Sequence, residues 1–247
     1  MSFNDPQQPL GLRCLALTGT FETSVAPPGC FGCVAGDFDG QGISYSALQW
    51  NLGQGTLQPL LSEMDTSHPD VMGSVFGAVY QQLCGMLAMP RLQQLAWARS
   101  IQSAQHVLNN PWHAGFQALG NTSEFQVIAT NHAASLFTAA LALCKTYGLL
   151  SQRAAALMFD IKVQNGNIPT SANTLIQQDF AGIAPGDPGL VETARMCSIA
   201  NRIADTANPQ WREDVRTRKL TVANGTGTVH GVHYDLAGQY ALTLAPF

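Results

Sequence analysis

Glu22 closes an apolar stretch, Leu17-Thr-Gly-Thr-Phe-Glu-Thr-Ser24, and Gly and Pro take over at once from Val25 to Gly36. A carboxyl at such a helix end faces an opening and is partly withdrawn from water, the setting in which a carboxylic acid holds a proton it can later donate. Cleaving a glycosidic bond calls for that acid, and commonly for a second carboxylate that activates water or attacks the sugar. Asp37 and Asp39 follow in Gly36-Asp-Phe-Asp-Gly-Gln-Gly42. In an extended segment both point to one face, so either serves as the base. The competing reading makes Glu22 a surface or capping carboxylate, and Asp37 a turn aspartate bonded to its own backbone.

Other residues fit a glycan groove. Gln49, Asn51 and Gln54 are suited to hydrogen-bond hydroxyl or N-acetyl groups, and Trp50 either stacks on a sugar or packs in the core. Asp160 and Gln164 stand one helical turn apart before the helix stop Asn165-Gly166. They either close the other side of a cleft or form an internal network that fixes helix packing. Cys30-x-x-Cys33 and His230-x-x-His233 have zinc-like spacing but lie about 200 residues apart, so no metal or cofactor is expected. A disulfide at or near Cys30 after export, or two free thiols, accounts for the cysteine pair. A cysteine or serine amidase would need a nucleophile motif, and Gly-x-Ser-x-Gly is absent.

The elements that must position these groups are mostly helices. Hydrophobic spacing predicts a first helix over Pro9 to Glu22, with Leu10, Cys14, Leu17 and Phe21 on one face. Further helices are expected over Ser46 to Leu61, Pro69 to Met89, Pro90 to Leu108, Pro111 to Gly120, Thr122 to Tyr147, Ser151 to Val163, Ser171 to Phe180, Gly189 to Ala207 and Pro209 to Val222. Asp39-Gly40 and Gln41-Gly42 are turn chemistry, so Gly36 to Trp50 reads as a small β-ribbon. The Gly-rich tail from Gly225 reads as a short hairpin.

Of the 247 residues, 46% are hydrophobic and 11% charged, with a net charge of −4. That excludes a disordered chain and argues against a nucleic-acid binder, which needs a basic footprint. Arg212, Arg216, Arg218 and Lys219 form one basic cluster, read as a solvated helix face or as a contact for acidic wall groups. The N-terminus lacks the pattern of a signal peptide. The apolar windows Ala133 to Leu143 and Ala154 to Phe159 are too short or interrupted to span a bilayer, so no stable membrane insertion is expected.

A glutamate ending an early helix, followed by a Gly-rich hairpin with Asp and Ser or Thr, resembles the lysozyme superfamily. Within it, the segment is similar to family 46 chitosanases and goose-type lysozymes. The chitosanase hairpin reads like Asp-Gly-x-Gly-Tyr-Thr-x-Gly, and here Asp39-Gly-Gln-Gly-Ile-Ser-Tyr-Ser46 stands in its place. The resemblance puts Asp39 on the second carboxylate and Ser44 on the water-positioning residue. Ala47 to Thr56 looks like the Gly-Leu-x-Gln stretch that lines the groove. Gly36 to Ser44, Leu48 to Gly55 and Met158 to Gly166 are also similar to peptidoglycan-cleaving domains of prophages and type VI secretion toxins. The sequence departs from the chitosanases at Ile43, Ser44 and Ser46, which favours peptidoglycan over chitosan.

The resemblance implies a mainly α (α+β) lysozyme-like fold, with many helices and a small β-hairpin lining the cleft. Residues 1–247 would form one catalytic domain, alternatively two helical lobes around a cleft. The implied activity is that of a muramidase made in the bacterial cytoplasm and acting in the periplasm or cell wall after delivery without a signal peptide. Its partners would be peptidoglycan glycan strands and an immunity protein or secretion-apparatus component. A lytic transglycosylase, a chitosanase-like hydrolase and a non-catalytic glycan-binding phage-tail component are the alternatives.

Overall fold

The computed structural model describes residues 3–247; Met1 and Ser2, the head of the segment read for a leader, lie outside it. The chain divides into two compact units, one of residues Glu22–Ala133 and one of residues 3–21 together with Ala134–Phe247.

The second unit contains most of α1 (Leu10–Thr23), then α8 (Ala134–Thr146), α9 (Gln152–Gln164), α10 (Thr170–Ala181), α11 (Pro188–Thr206), α12 (Arg212–Asn224) and α13 (Leu236–Tyr240). Every residue of α1 from Leu12 to Phe21 is buried, as is every residue of α9 from Ala154 to Ile161. A helix buried all round belongs to a core rather than to a surface. Local chemistry sets several helix starts. Ser151 Oγ accepts from the Ala154 amide at 3.2 Å. Asp187 Oδ1 accepts from Gly189 and Leu190, with Pro188 in the first turn where its missing N–H costs least. The tail forms the expected hairpin, β4 (Thr226–Val229) and β5 (Val232–Asp235). Its two-residue turn, His230-Gly231, has both residues at positive φ, the geometry that matches strand twist.

The first unit holds a three-stranded antiparallel ribbon, β1 (Val34–Ala35), β2 (Ser44–Tyr45) and β3 (Trp50–Asn51). Its helices are α2 (Leu57–Ser67), α3 (Pro69–Phe76), α4 (Tyr80–Leu87), α5 (Arg91–Ser100), α6 (Trp112–Gly120) and α7 (Ser123–His132). Tyr45 fixes the ribbon. Its ring lies 5.0 Å from that of Phe116 and 5.1 Å from that of Phe125, and its hydroxyl donates to the Phe116 carbonyl at 2.8 Å. Aromatic pairs of this kind add about 0.5–1.5 kcal/mol each beyond their buried area.

Several helices differ from expectation. The helix expected from Ser46 starts only at Leu57, because residues 46–56 are spent on the ribbon. Ser46 and Gln49 take left-handed backbone angles in its turn, and Asn51 Oδ1 accepts from the Gln54 amide at 2.8 Å. The segment from Pro69 breaks at Gly77, whose φ of 52° and ψ of −126° suit glycine alone. The segment from Pro90 stops at Ser100. There Ser103 Oγ takes the amides of Gln105 and Val107, and Gln102 bridges Leu108, so the backbone has an alternative to the helix. The stretch from Thr122 divides at Ala133, where no Gly or Pro marks the break. Among the described residues no single helix is long and apolar enough to cross a membrane, and only α7 and α8 taken together pass by length and composition.

Candidate active site

Glu22 sits at the end of α1, where the buried run stops, and it is exposed. It lines a cleft of about 350 Å³ in the first unit, together with Thr23, Cys33, Val34, Ala35, Gln49, His113 and Gln117. The wall beside it is thus the outer strand of the ribbon, and the far part is α6. His113 and Gln117 are one turn apart on that helix, while Trp112, Phe116 and Leu119 bury its other side. Among the described residues neither polar side chain spends a hydrogen bond within the protein. Two glycines bring the main chain around Phe31 directly against α6. A Cβ on Gly120 would fall 2.2 Å from the Phe31 carbonyl oxygen, and one on Gly32 would fall 2.7 Å from that of Gln117.

The two ribbon aspartates part company. Residues 37–42 form a bend rather than a strand, so Asp37 and Asp39 do not share a face as an extended segment would require. Asp37 is buried, 8% exposed. It accepts from the Gly42 amide at 2.7 Å and from Arg99 Nε at 2.5 Å. Burial pushes its carboxyl up, but the Arg99 hydrogen bond, the Gly42 amide and the Arg99 charge outweigh that and hold it below the usual range. Asp39 is exposed at the bend. One oxygen accepts from the Gln41 amide at 3.1 Å, and the other has no protein hydrogen bond among the described residues. Asp37 therefore braces the ribbon, and Asp39 has a carboxylate oxygen to offer.

Ser44 is half-buried at the centre of the ribbon, opposite Ala35 and Asn51. Gln49 reaches the cleft, and its Nε2 donates to the Ser46 carbonyl at 2.8 Å. Trp50 is half-buried and Gln54 exposed. Asn51 is 7% exposed and its oxygen holds the following turn, so its side chain serves the fold.

Asp160 is fully buried in the second unit. It accepts from Thr18 Oγ1 at 3.1 Å, from Arg218 Nη2 at 2.6 Å and from the Lys219 ammonium. Lys219 also reaches Gln164 Oε1 at 2.7 Å. Burial raises the Asp160 carboxyl, but the two cations overcome it and bring it down to about 2. A carboxylate with no exposed surface makes no glycan contact, so of the two readings of Asp160 and Gln164 the internal network describes what is there. The same contacts correct the reading of the basic cluster. Arg218 and Lys219 are 3% and 0% exposed, and Arg216 pairs with Asp205 and Glu213.

None of the six cysteines is joined in a disulfide. Among the described residues no three His, Cys, Asp or Glu side chains gather as a metal site. His113 and Gln117 were not singled out by the sequence, and Cys33 only as half of a metal-like or disulfide pair, not as part of a glycan cleft. The signal for the first two was a polar i, i+4 pair on an otherwise apolar helix.

No family model matches the chain, and no curated protein matches it in sequence. Solved structures do share its fold. The native chitosanase of Bacillus subtilis MY002 matches with a TM-score of 0.53 at 19% identity over 89% of each chain. The GH46 chitosanase of Gynuella sunshinyii, in complex with chitotetraose, gives 0.52 at 14% identity over 94% of this chain and 99% of that one. Chitosanase OU01, co-crystallised with substrate, gives 0.51 at 19% identity over 95% and 98%.

The fold is lysozyme-like. Helices dominate and a small antiparallel sheet accompanies them. In this lysozyme-like chain Glu22 leads directly into the segment that builds the sheet.

Proposed function

We propose that the protein is a glycoside hydrolase that cuts the β-1,4 bond between N-acetylmuramic acid and N-acetylglucosamine in peptidoglycan. Glu22 is the general acid, Asp39 the base and Ser44 the group that orients the attacking water. The observation that carries this reading is Glu22 on the wall of a cleft built from the ribbon and α6. The cleft lining also supports the substrate class. Apart from Glu22 it offers uncharged polar groups and one imidazole, from Thr23, Gln49, His113 and Gln117. A polycationic glycan such as chitosan would be better served by several carboxylates, whereas N-acetylated sugars need hydrogen-bonding groups. Asp39 lies on the bend at residues 37–42, outside the lining of the cleft at Glu22, and in this reading the two carboxyls stand far enough apart to admit a water, which makes the reaction inverting.

The target glycan places the action in the periplasm or cell wall, with glycan strands as partner. An immunity protein or a secretion-apparatus component is the protein partner of this reading. The second reading is a chitosanase-like hydrolase, favoured by the names of the structures that share the fold.

The test is digestion of purified peptidoglycan, chitosan and N-acetylglucosamine oligomers in parallel, with mass analysis of the products. Muropeptides with a reducing end are expected from the wild type and not from Glu22→Gln. Anhydro-muropeptides would indicate a lytic transglycosylase. Release from chitosan alone would transfer the assignment to the second reading, and no release from any glycan would leave a binding module.

A further inference from the structure

Phe38 stands between the two ribbon aspartates and is 70% exposed. The backbone beneath it is held from several sides. The Asp37 amide donates to Gln102 Oε1 at 2.8 Å, and the Asp37 carboxylate is gripped by Arg99 and the Gly42 amide. At Gly36 a Cβ would fall 2.1 Å from the His106 carbonyl oxygen, so ribbon and loop are in direct backbone contact there. The loop itself is tight. His106 has a φ of 58°, its amide donates to the Ser103 carbonyl at 3.0 Å, and Ser103 donates to Val107 at 2.8 Å. The imidazole of His106 lies 5.0 Å from the Phe38 ring, tilted by 51°.

We propose that Phe38, braced on His106, is a stacking platform for the apolar face of a β-linked amino-sugar ring, extending the glycan site beyond the cleft at Glu22. This rests on the glycan-cleaving reading. In a β-1,4-linked sugar of gluco configuration the ring substituents are equatorial, so each face presents axial C–H groups. The negative face of an aromatic ring attracts those hydrogens, and contact removes apolar surface from water on both sides. A mobile phenylalanine would lose much of that gain in ordering itself, whereas one fixed by its backbone and by a neighbouring ring has little left to lose. Phe38 just follows the strand that lines the cleft and immediately precedes Asp39. A sugar seated on it lies beside the carboxylate proposed as the base.

Binding of N-acetylglucosamine hexamer and of purified sacculi is measured on the inactive Glu22→Gln protein, with and without Phe38→Ala. The alanine substitution is expected to weaken hexamer binding about tenfold, Phe38→Trp to restore it, and Phe38→Leu to restore it only in part. In the active protein Phe38→Ala raises KM, with a smaller change in kcat. Because Phe38 is mostly exposed, all three variants should unfold at the wild-type temperature. Binding unchanged by Phe38→Ala, or fully restored by leucine, overturns the platform and leaves the proposed function intact. A Glu22→Gln protein that binds neither glycan overturns both.

Discussion

Asp160 and Glu22 are both carboxylates that directly follow a phenylalanine on a helix, and the two units treat them oppositely. Asp160 lies in the middle of α9, without exposed surface, and its oxygens are taken by Thr18, Arg218 and Lys219. Glu22 lies at the end of α1, in the open, against a cleft lined by hydrogen-bonding groups. A buried charge survives only when the fold supplies counter-charges, and it then holds the fold together. A carboxyl at a cleft wall adds little to stability but can give a proton to a ligand. Position along the helix decides which.

Four substitutions sharpen or break this contrast. Glu22→Gln should lower turnover on purified peptidoglycan by about 10²–10⁴-fold, the usual worth of a general acid, with no change in thermal midpoint. A large drop in that midpoint would give Glu22 a structural role and dissolve the comparison. Asp160→Asn should do the reverse, costing about 3–5 kcal/mol in urea unfolding because it strands two buried cations. Its pH signature is specific. The carboxyl is lowered in the folded protein from 3.8 to about 2, so unfolding takes up a proton between those values. The stability it supplies is complete above about pH 4 and is lost as the pH falls through about 2. Wild-type stability that stays flat across that window, or falls there equally in Asp160→Asn, contradicts the assignment.

Within the ribbon the same contrast recurs on a smaller scale. Asp39→Asn should slow hydrolysis by about 10²-fold and leave stability alone. Early product NMR of the wild type should show the α-anomer at the new reducing end. An initial β-anomer would make Asp39 a nucleophile, and no loss of rate would point to a transglycosylase. Asp37→Asn should cost about 1–2 kcal/mol, since it weakens bonds to a mostly exposed Arg99 and one amide, and should slow turnover less than Asp39→Asn does. Reversed kinetic losses would move the base to Asp37.

The helical frame was legible because its signals are local. Ser151 and Asp187 cap the helices they precede, and Gly225 ends α12 in a left-handed turn. The ribbon was legible in kind but not in length, because Leu48-Gln-Trp-Asn-Leu mixes apolar and polar residues as a helix would. Arg218 and Lys219 were misread because a charge run carries no mark of burial. The cue lay elsewhere, in Asp160 within the apolar run Leu157 to Ile161, since a carboxylate there demands cations from somewhere. His113 and Gln117 went unnoticed for the converse reason. A polar face on an amphipathic helix looks the same whether it meets water or a ligand, and only the packed ribbon opposite tells them apart.

The close main-chain contact at Gly32 and Gly120 bears on which substitutions such a protein can accept. Gly32 and Gly120 bring one stretch of main chain against another with no space for a methyl group, so a larger residue at either position must push the two apart. That contact is thus closed to gradual mutation. Change in the cleft itself falls to the side chains that line it, such as Gln49, His113 and Gln117.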